Sequence, residues 1–310
     1  MLNECRQIGG TPLSIGVYSV EKAPTHIHDR GVLEIIFCLK VSVKFSYAYE
    51  EFTLHEGEYI SVDRDAYYLY DGRDNLCVSF YFDLTRYEDK YPFICDNLFV
   101  CEGVAESGSS YQKEAHRRLK GMLIALLKFI LEDGAEEKVA EAAERIVDLF
   151  VNCFDVFFFH TGESRDCSEA LSNLHKANRY IHAHMKERLT IRDLAGHMNF
   201  TEGYMSEYLR KVSIGFREMI GYVRASESEH YLLKTDKTIL EISEECGFSD
   251  VKYYYSAFKR WYRCTPKQFR DQYGRTSEQK ITYLKLEDTA ELLDRMMTAH
   301  YMETYLFNDR

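Results

Sequence analysis

The chain has 310 residues, of which 45% are hydrophobic and 29% charged, and its formal net charge is −11. This length predicts at least two domains, and the longest apolar runs (122–127 and 156–159) are far too short to cross a bilayer, so we expect no membrane association. The absence of a signal-peptide pattern and nine scattered cysteines without paired spacing fit a reducing, cytoplasmic location better than a secreted disulfide framework.

The first third of the chain has the pattern of short β-strands. Runs rich in Val, Ile, Phe and Tyr recur between residues 14 and 83, and Val41, Val43, Phe45 and Tyr47 alternate with polar residues. Clusters of Gly, Asp, Asn and Arg separate the runs. The spacing predicts a small antiparallel barrel or a double-sheet jelly roll.

Residues 106–162 have the pattern of two amphipathic helices. In the second helix, apolar residues step by three and four positions and form a coiled-coil-like seam of Val139, Ala142, Ile146, Leu149, Cys153 and Val156. Such a hairpin either pairs with a second chain or covers the barrel. The short polar segment 163–172 follows as a predicted linker.

Residues 173–275 carry one sequence pattern twice, in LTIRDLAGHMNFTEGYMSEYLRKV and TILEISEECGFSDVKYYYSAFKRW. Each copy has a small residue in its first helix, then a residue that tolerates positive φ, a hydrophobic residue and a hydroxyl that can cap the second helix. These constraints are met by Ala195 and Ser243, Asn199 and Gly247, Phe200 and Phe248, and Thr201 and Ser249. Their joint recurrence predicts two helix–turn–helix motifs rather than a plain helical bundle.

Caps also define where the first helix of each motif begins. Thr190 with Asp193, and Thr238 with Glu241, have the spacing of capping boxes. A single predicted helix over 216–234 joins the motifs and spans roughly 28 Å at about 1.5 Å per residue. This length is close to the roughly 34–36 Å between successive major-groove faces of DNA. One chain can therefore place two recognition helices in adjacent grooves.

The negative charge lies outside this part of the chain. Residues 168–275 carry a net charge of +4, whereas residues 1–167 carry −12 and residues 276–310 carry −3. Phosphate contacts require local positive charge, which the tandem motif supplies. The acidic N-terminal part is not expected to contact DNA.

The second motif carries a family signature. GFSDVKYYYSAFKRWYRCTPKQFR at 247–270 is close to GF-x-D-x-x-Y-F-x-x-x-F-K-x-x-x-G-x-T-P-x-x-(Y/F)-R, and about 100 residues resemble the AraC/XylS family of bacterial transcription regulators. The sequence departs from the family at Tyr254, Cys264, Ser256 and Glu207, where Phe, Gly, Arg and a basic residue are usual. These departures concern the base preference and leave the fold intact.

The resemblance also implies a role for the N-terminal part, which is similar to the cupin-type sensor domain of that family. Enzymatic cupins bind a metal through H-x-H, a Glu and a later His. His26, His28 and Glu34 match the first three positions, but Tyr67 or Tyr68 stands where the fourth ligand is expected. We therefore predict no metal and no other cofactor, and we expect His26, His28, Glu34 and Tyr67 to border an effector pocket. The alternative is that they are ordinary polar residues of the surface and core.

The candidate DNA contacts follow from their places on the recognition helices, predicted at about 202–212 and 250–261. Residues near the exposed N-terminal part of each helix are expected to reach bases: Glu202, Gly203, Ser206, Glu207, Val251, Lys252, Tyr255 and Ser256. Residues that cap, follow or flank them are expected to contact phosphates: Thr201, Arg210, Lys211, Lys259, Arg260 and Lys267. Four more residues are expected in the core: Tyr204, Leu209, Tyr253 and Phe258.

The predicted fold class is α+β, with a cupin-like β-barrel and a helical hairpin followed by an all-α domain of two helix–turn–helix motifs joined by a long helix. The predicted segments are a sensing barrel (1–105), a hairpin (106–162), a linker (163–172), an AraC-type DNA-binding domain (173–275) and an acidic helical tail (276–310).

The predicted function is effector-controlled transcription regulation, without enzymatic activity. The resemblance implies several partners: operator DNA, a small-molecule effector such as a sugar, RNA polymerase, and a second copy of the chain that pairs through the hairpin. Two alternatives are a metal-dependent cupin enzyme with a DNA-binding appendage and a ligand-independent regulator that acts through protein partners.

Overall fold

The computed structural model describes residues 5–47, 50–62, 66–92, 94–96, 98–99, 101–103, 113–156, 168–212, 214–274 and 280–296. The chain divides into two compact units. Residues 1–156 and 277–310 form the first, here called the barrel unit, and residues 157–276 form the second, the helical unit. Sheet and helices in the first unit and helices in the second confirm the predicted α+β class.

The barrel unit is built on an antiparallel sheet in which ten strands are described. These are β1 (Arg6–Gln7), β2 (Leu13–Lys22), β3 (Val32–Lys40), β4 (Ser42–Tyr47), β5 (Glu50–His55), β6 (Tyr59–Val62), β7 (Tyr67–Tyr70), β8 (Leu76–Asp83), β10 (Glu102–Gly103) and β12 (Lys280–Tyr283). Neighbouring strands follow the order β10-β6-β3-β8-β2-β7-β4-β5, and β1 and β12 both pair with β2. A separate pair consists of β9 (Leu98–Phe99) and β11 (Asp155–Val156).

Both faces of the central strands are apolar, because the sheet lies between two cores. Along β3, Leu33, Ile35 and Phe37 contribute to one core, whereas Ile36 and Cys38 contribute to the other. The first core also contains the buried faces of α1 (Lys113–Leu131) and α2 (Glu136–Cys153), and the second lies on the inner face of the sheet. The helical hairpin therefore covers the outer face of the sheet.

The predicted seam of α2 is buried within this outer core. Val139, Ala142 and Ile146 are at most 1% exposed. The helix ends at Cys153, and Val156 lies in β11, where it pairs with β9 instead of extending the seam. The buried seam of α2 is therefore not available to pair with a second chain. The homodimer stays a prediction and would need a different surface.

The helical unit contains seven described α-helices: α3 (Ser168–His184), α4 (Ile191–His197), α5 (Glu202–Val212), α6 (Phe216–Lys234), α7 (Ile239–Glu245), α8 (Val251–Tyr262) and α9 (Pro266–Tyr273). Helix α3 begins within the predicted linker, and residues 163–167 lie outside the described residues. In the described ranges, none of the helices has the length and apolar character that a membrane crossing requires.

The segment after α9 returns to the barrel unit. Strand β12 pairs antiparallel with the second half of β2, and Leu284 donates its N–H to the carbonyl of Val17 at 2.9 Å. Leu286 and Leu293 of the following 3₁₀ turn and α10 (Ala290–Met296) are buried in the outer core. The predicted helical tail therefore contains a strand at 280–283. Without β12, main-chain groups on this side of β2 would lack strand partners, which favours a strand there.

We expect Leu293→Ala to destabilise the barrel unit by about 2–5 kcal/mol, because removing a buried leucine side chain loses apolar burial and leaves a cavity. Leu293 is 1% exposed. Hydrogen exchange followed by mass spectrometry should show faster exchange in β2 and α1 and unchanged exchange in α6. The exposed neighbour Glu291 provides the control Glu291→Ala. Equal protection of β2 in the two variants would contradict the packing of the tail.

Candidate functional site

Two capping boxes fix where each motif begins. The Oγ1 of Thr190 accepts from the N–H of Asp193 at 3.3 Å, and the Asp193 carboxylate accepts from the N–H of Thr190 at 2.8 Å. Thr238 and Glu241 make the same pair of bonds at 3.2 and 2.7 Å. Both predicted capping boxes are confirmed, and each satisfies two main-chain N–H groups that the helix leaves unpaired.

The turn of each motif has the predicted conformation. Asn199 and Gly247 have φ values of 56° and 80°, in the left-handed region. Ala195 and Ser243 are each 1% exposed, which is consistent with small residues where the two helices of a motif cross closely. Two helix–turn–helix motifs are therefore present, α4–α5 and α7–α8.

The second motif has one more residue before its recognition helix than the first. The Oγ1 of Thr201 accepts from the N–H of Tyr204 at 3.2 Å and caps α5, as predicted. In the second motif, Asp250 and not Ser249 is the cap, because its carboxylate accepts from the N–H of Lys252 at 2.8 Å. Aspartate is among the strongest N-caps, so it can take this role one residue later.

Beyond the caps, the two recognition helices correspond at a spacing of 49 residues, as their fully buried residues show. These are Met205 and Leu209 in α5 and Tyr254 and Phe258 in α8. Tyr204 and Tyr253 occupy equivalent positions and are 53% and 55% exposed, so their predicted place in the core was wrong. Each directly precedes a buried residue, and the 3.6-residue period turns it toward solvent. This period is the signal that distinguishes them from the core.

The residues predicted to reach bases lie in the first turns of the two recognition helices. Ser206 and Val251 are half-buried, and the other six are exposed. Two of the charges are partly neutralised within the unit. Glu202 lies 2.6 Å from the Nε of Arg192, and the Nζ of Lys252 lies 3.5 Å from the carboxylate of Asp250.

The residues predicted to contact phosphates differ in how free their charges are. Four exposed cations form no ion pair with any described residue: Arg210, Lys211, Lys259 and Lys267. Arg260 instead pairs with Glu218 of α6 at 2.6 Å. Thr201 uses its hydroxyl oxygen as the helix cap, which leaves the hydroxyl hydrogen available to a phosphate.

Two arginines hold α6 at a fixed place between the motifs. The Nε of Arg224 donates to the carbonyl of Met185 at 2.7 Å, just after α3. The Nε of Arg270 in α9 donates to the carbonyl of Leu232 at 3.0 Å, near the end of α6. The observed helix, Phe216–Lys234, has the predicted bounds. Its 19 residues span roughly 28 Å.

The turn of the second motif packs against the backbone that follows α3. A Cβ placed on Gly247 would lie 2.4 Å from the carbonyl oxygen of Met185 and 2.9 Å from the Cα of Lys186. The same carbonyl accepts the bond from Arg224. The end of α3, the joining helix and the second motif therefore meet at one main-chain group.

The barrel interior brings together the four residues predicted to border an effector pocket. The Nε2 of His28 lies 2.7 Å from Oε2 of Glu34, and the hydroxyl of Tyr67 donates to the same oxygen at 2.6 Å. His26 pairs with Tyr67 through both main chains, and its ring centroid lies 4.7 Å from that of His28. Glu34 is completely buried, and its Oε1 makes no hydrogen bond to any described residue.

The pKa values of Glu34 and Tyr67 are shifted by burial and by their neighbours in this cluster. Burial alone would raise the pKa of Glu34, but the hydrogen bond from His28 and the charges of His28 and His26 outweigh it and lower the pKa to about 2. Burial, together with the Glu34 charge, raises the pKa of Tyr67, which keeps its hydroxyl a donor. Across the described ranges, no group of three or more His, Cys, Asp or Glu side chains has a metal-binding arrangement.

Comparison with known proteins agrees with the geometry of the helical unit. Residues 194–272 match the helix-turn-helix domain family. The regulatory protein PocR of Salmonella typhimurium is 32% identical over 107 residues, 34% of this chain and 35% of that protein. The helical unit contains an AraC-type helix–turn–helix domain.

Two further matches are confined to about a third of this chain, and one extends over most of it. The Msm operon regulatory protein of Streptococcus mutans is 30% identical over 114 residues, 36% of this chain and 40% of that protein. The matched region thus spans little more than a third of the length of these two relatives. The C-terminal domain of the response regulator yesN from Fusobacterium nucleatum is 28% identical, covers 32% of this chain and 98% of its own, and has a TM-score of 0.30. ToxT from Vibrio cholerae is 14% identical, covers 84% of this chain and 97% of its own, and has a TM-score of 0.43.

We expect Gly247→Ala to destabilise the AraC-type domain by at least about 1–2 kcal/mol, because an alanine at positive φ is strained and its Cβ meets the Met185 carbonyl. Gly196→Ala, on the exposed side of α4 with no atom near its added Cβ, should instead stabilise by about 0.5–1 kcal/mol. The chain has one tryptophan, Trp261 in α8, so its fluorescence during urea unfolding reports this domain within the intact protein. Equal midpoints for the two variants would contradict the close approach.

We expect Glu34→Gln to destabilise the barrel unit by about 3–5 kcal/mol near neutral pH, because it leaves His28 buried without its carboxylate. The difference from the wild type should shrink as the pH falls from about 4.5 towards 2. A lowered carboxyl pKa contributes stability above its unfolded value, and this stability is lost as the pH passes through the folded value. This difference is measured from the thermal unfolding midpoints of both proteins at each pH. Unfolding is detected by the near-ultraviolet circular dichroism of the tyrosines. A difference that is constant over this window would argue against the lowered pKa of Glu34.

Proposed function

We propose that the chain is a sequence-specific DNA-binding transcription regulator whose barrel unit binds a small-molecule effector. The observation that carries this proposal is the pair of capped motifs anchored to one 19-residue helix. Because α6 spans roughly 28 Å, the two recognition helices suit adjacent major-groove faces, which lie roughly 34–36 Å apart.

The distribution of charge supports DNA as the partner. Residues 168–275 carry a net charge of +4, although the whole chain carries −11. Arg210 and Lys211 follow the base-facing turns of α5, and Lys259 follows those of α8. Cations at these places suit the phosphates that flank a major groove, while the residues of the first turns face the bases.

The barrel interior supports the effector part of the proposal. Glu34 has one oxygen bound by His28 and Tyr67 and a second oxygen, Oε1, without a partner among the described residues. A buried carboxylate oxygen without a partner is costly, so a ligand that donates a hydrogen bond would be favoured there. We infer an effector with a hydroxyl or amine group, bordered by His26, His28, Glu34 and Tyr67.

Two further partners follow from the proposed regulation. RNA polymerase is the partner through which a bound regulator acts, and a second copy of the chain would double the number of DNA half-sites that are read.

A thermal-shift screen of the intact chain against hydroxyl- and amine-bearing metabolites tests the effector. A compound that stabilises the wild type but not Glu34→Gln supports it, and no stabiliser in a broad set would favour the ligand-independent regulator.

We expect Lys252→Ala to weaken binding to the operator by roughly 5- to 150-fold, because it removes a side chain that donates to a base edge. Binding to a random-sequence duplex should change little. Fluorescence anisotropy with fragments from upstream of the chain's own gene measures both affinities. Lys234→Ala, an exposed cation at the far end of α6, is the matched control. If the wild type binds no fragment in a salt-dependent way, the proposed function fails.

A further inference from the structure

A groove of about 540 Å³ lies within the helical unit, between α6 and α8. Arg217, Glu218 and Arg224 line it from α6, and Tyr253, Ser256 and Arg260 line it from α8. The side chain of Trp261 lies beside them and contacts Tyr222 of α6, with ring centroids 5.1 Å apart. The groove is therefore formed by the joining helix and one flank of the second recognition helix.

The groove has an excess of positive charge. It contains three guanidinium groups and one carboxylate. Arg260 and Glu218 neutralise each other at 2.6 Å, and Arg224 donates to the main chain at Met185. Arg217 is exposed and forms no ion pair with any residue in the described part of the chain. One guanidinium is thus left available, and its planar fork of donors matches the oxygens of a phosphate.

The position of the groove indicates which phosphate reaches it. Ser256 is both a groove residue and a predicted base-facing residue, and Arg260 lies one turn further along the same helix. A helix in a major groove about 12 Å wide has a sugar-phosphate strand on each flank. The strand on the flank that faces α6 would run along this groove. We propose that the groove binds this strand and that Arg217 of the joining helix is a DNA phosphate contact. This inference rests on the proposed function.

An acidic segment of a partner protein is the other occupant with suitable charge. DNA is favoured because the groove is continuous with the exposed face of α8 through Tyr253 and Ser256. The hydroxyls of Ser249 and Ser256 also line it and can donate to phosphate oxygens. If the groove binds a protein instead, Arg217→Gln should leave the affinity for DNA unchanged.

The experiment compares the intact wild type with Arg217→Gln, Glu218→Gln and Lys234→Gln. Fluorescence anisotropy measures binding to a random-sequence duplex of about 30 base pairs, long enough for successive major-groove faces, over a range of salt concentrations. Arg217→Gln should lower the affinity several-fold at low salt and reduce the slope of log K against log salt by about 0.9, the value for one lost phosphate contact. Glu218→Gln should raise the affinity, because it removes a negative charge and frees Arg260.

Lys234→Gln should match the wild type, because Lys234 lies 17 residues along α6 from Arg217, or roughly 25 Å at the helical rise. Opposite effects of the two groove variants, with unchanged Trp261 urea midpoints, would exclude a merely structural role. If Arg217→Gln has the affinity and slope of Lys234→Gln, the groove does not bind DNA and the inference is overturned. If the wild type binds no duplex at any salt concentration, the proposed function fails instead.

Discussion

The geometry of the helical unit depends on the carbonyl group of Met185. Arg224 donates to its oxygen from α6, and Gly247 brings the second turn so close that a Cβ would lie 2.4 Å away. Because α3 also packs against α4 and α5, one main-chain group links both motifs and the helix between them. Backbone and short-range contacts therefore set the orientation of the two recognition helices. A fixed orientation favours binding to two grooves. Two flexibly joined recognition helices would lose orientational freedom when the second one binds, and this loss would weaken binding.

Sequence rules were sufficient where the conformation of one residue decides the outcome. Asn199 and Gly247 were predictable because few residues tolerate positive φ, and the bounds 216–234 followed from the helical period. The rules failed where two neighbours compete for one role. Ser249 and Asp250 can both cap a helix, and the choice depends on where the buried side of α8 places its first turn. That is a tertiary constraint, which local sequence does not contain.

Pairing between distant segments was the least predictable part of the fold. Residues 280–283 pair with β2 across more than 250 positions, and a four-residue strand is defined by the edge it completes rather than by its own pattern. The polar cluster of the barrel was predictable as a set from its resemblance to a known motif. The bonds from His28 and Tyr67 to one oxygen of Glu34 were not, because they depend on which residues of β3 and β7 face the interior.

The order of the chain makes the helical unit an insertion in the barrel unit. The polypeptide leaves the barrel unit after β11 and re-enters it at β12. A domain on one linker can reorient within the reach of that linker, whereas a domain attached at both ends has less conformational freedom. The second attachment begins with a four-residue strand at the edge of the sheet, and edge strands open more readily than central ones. A change at the end of β2 that weakens its pairing with β12 would therefore weaken this second attachment.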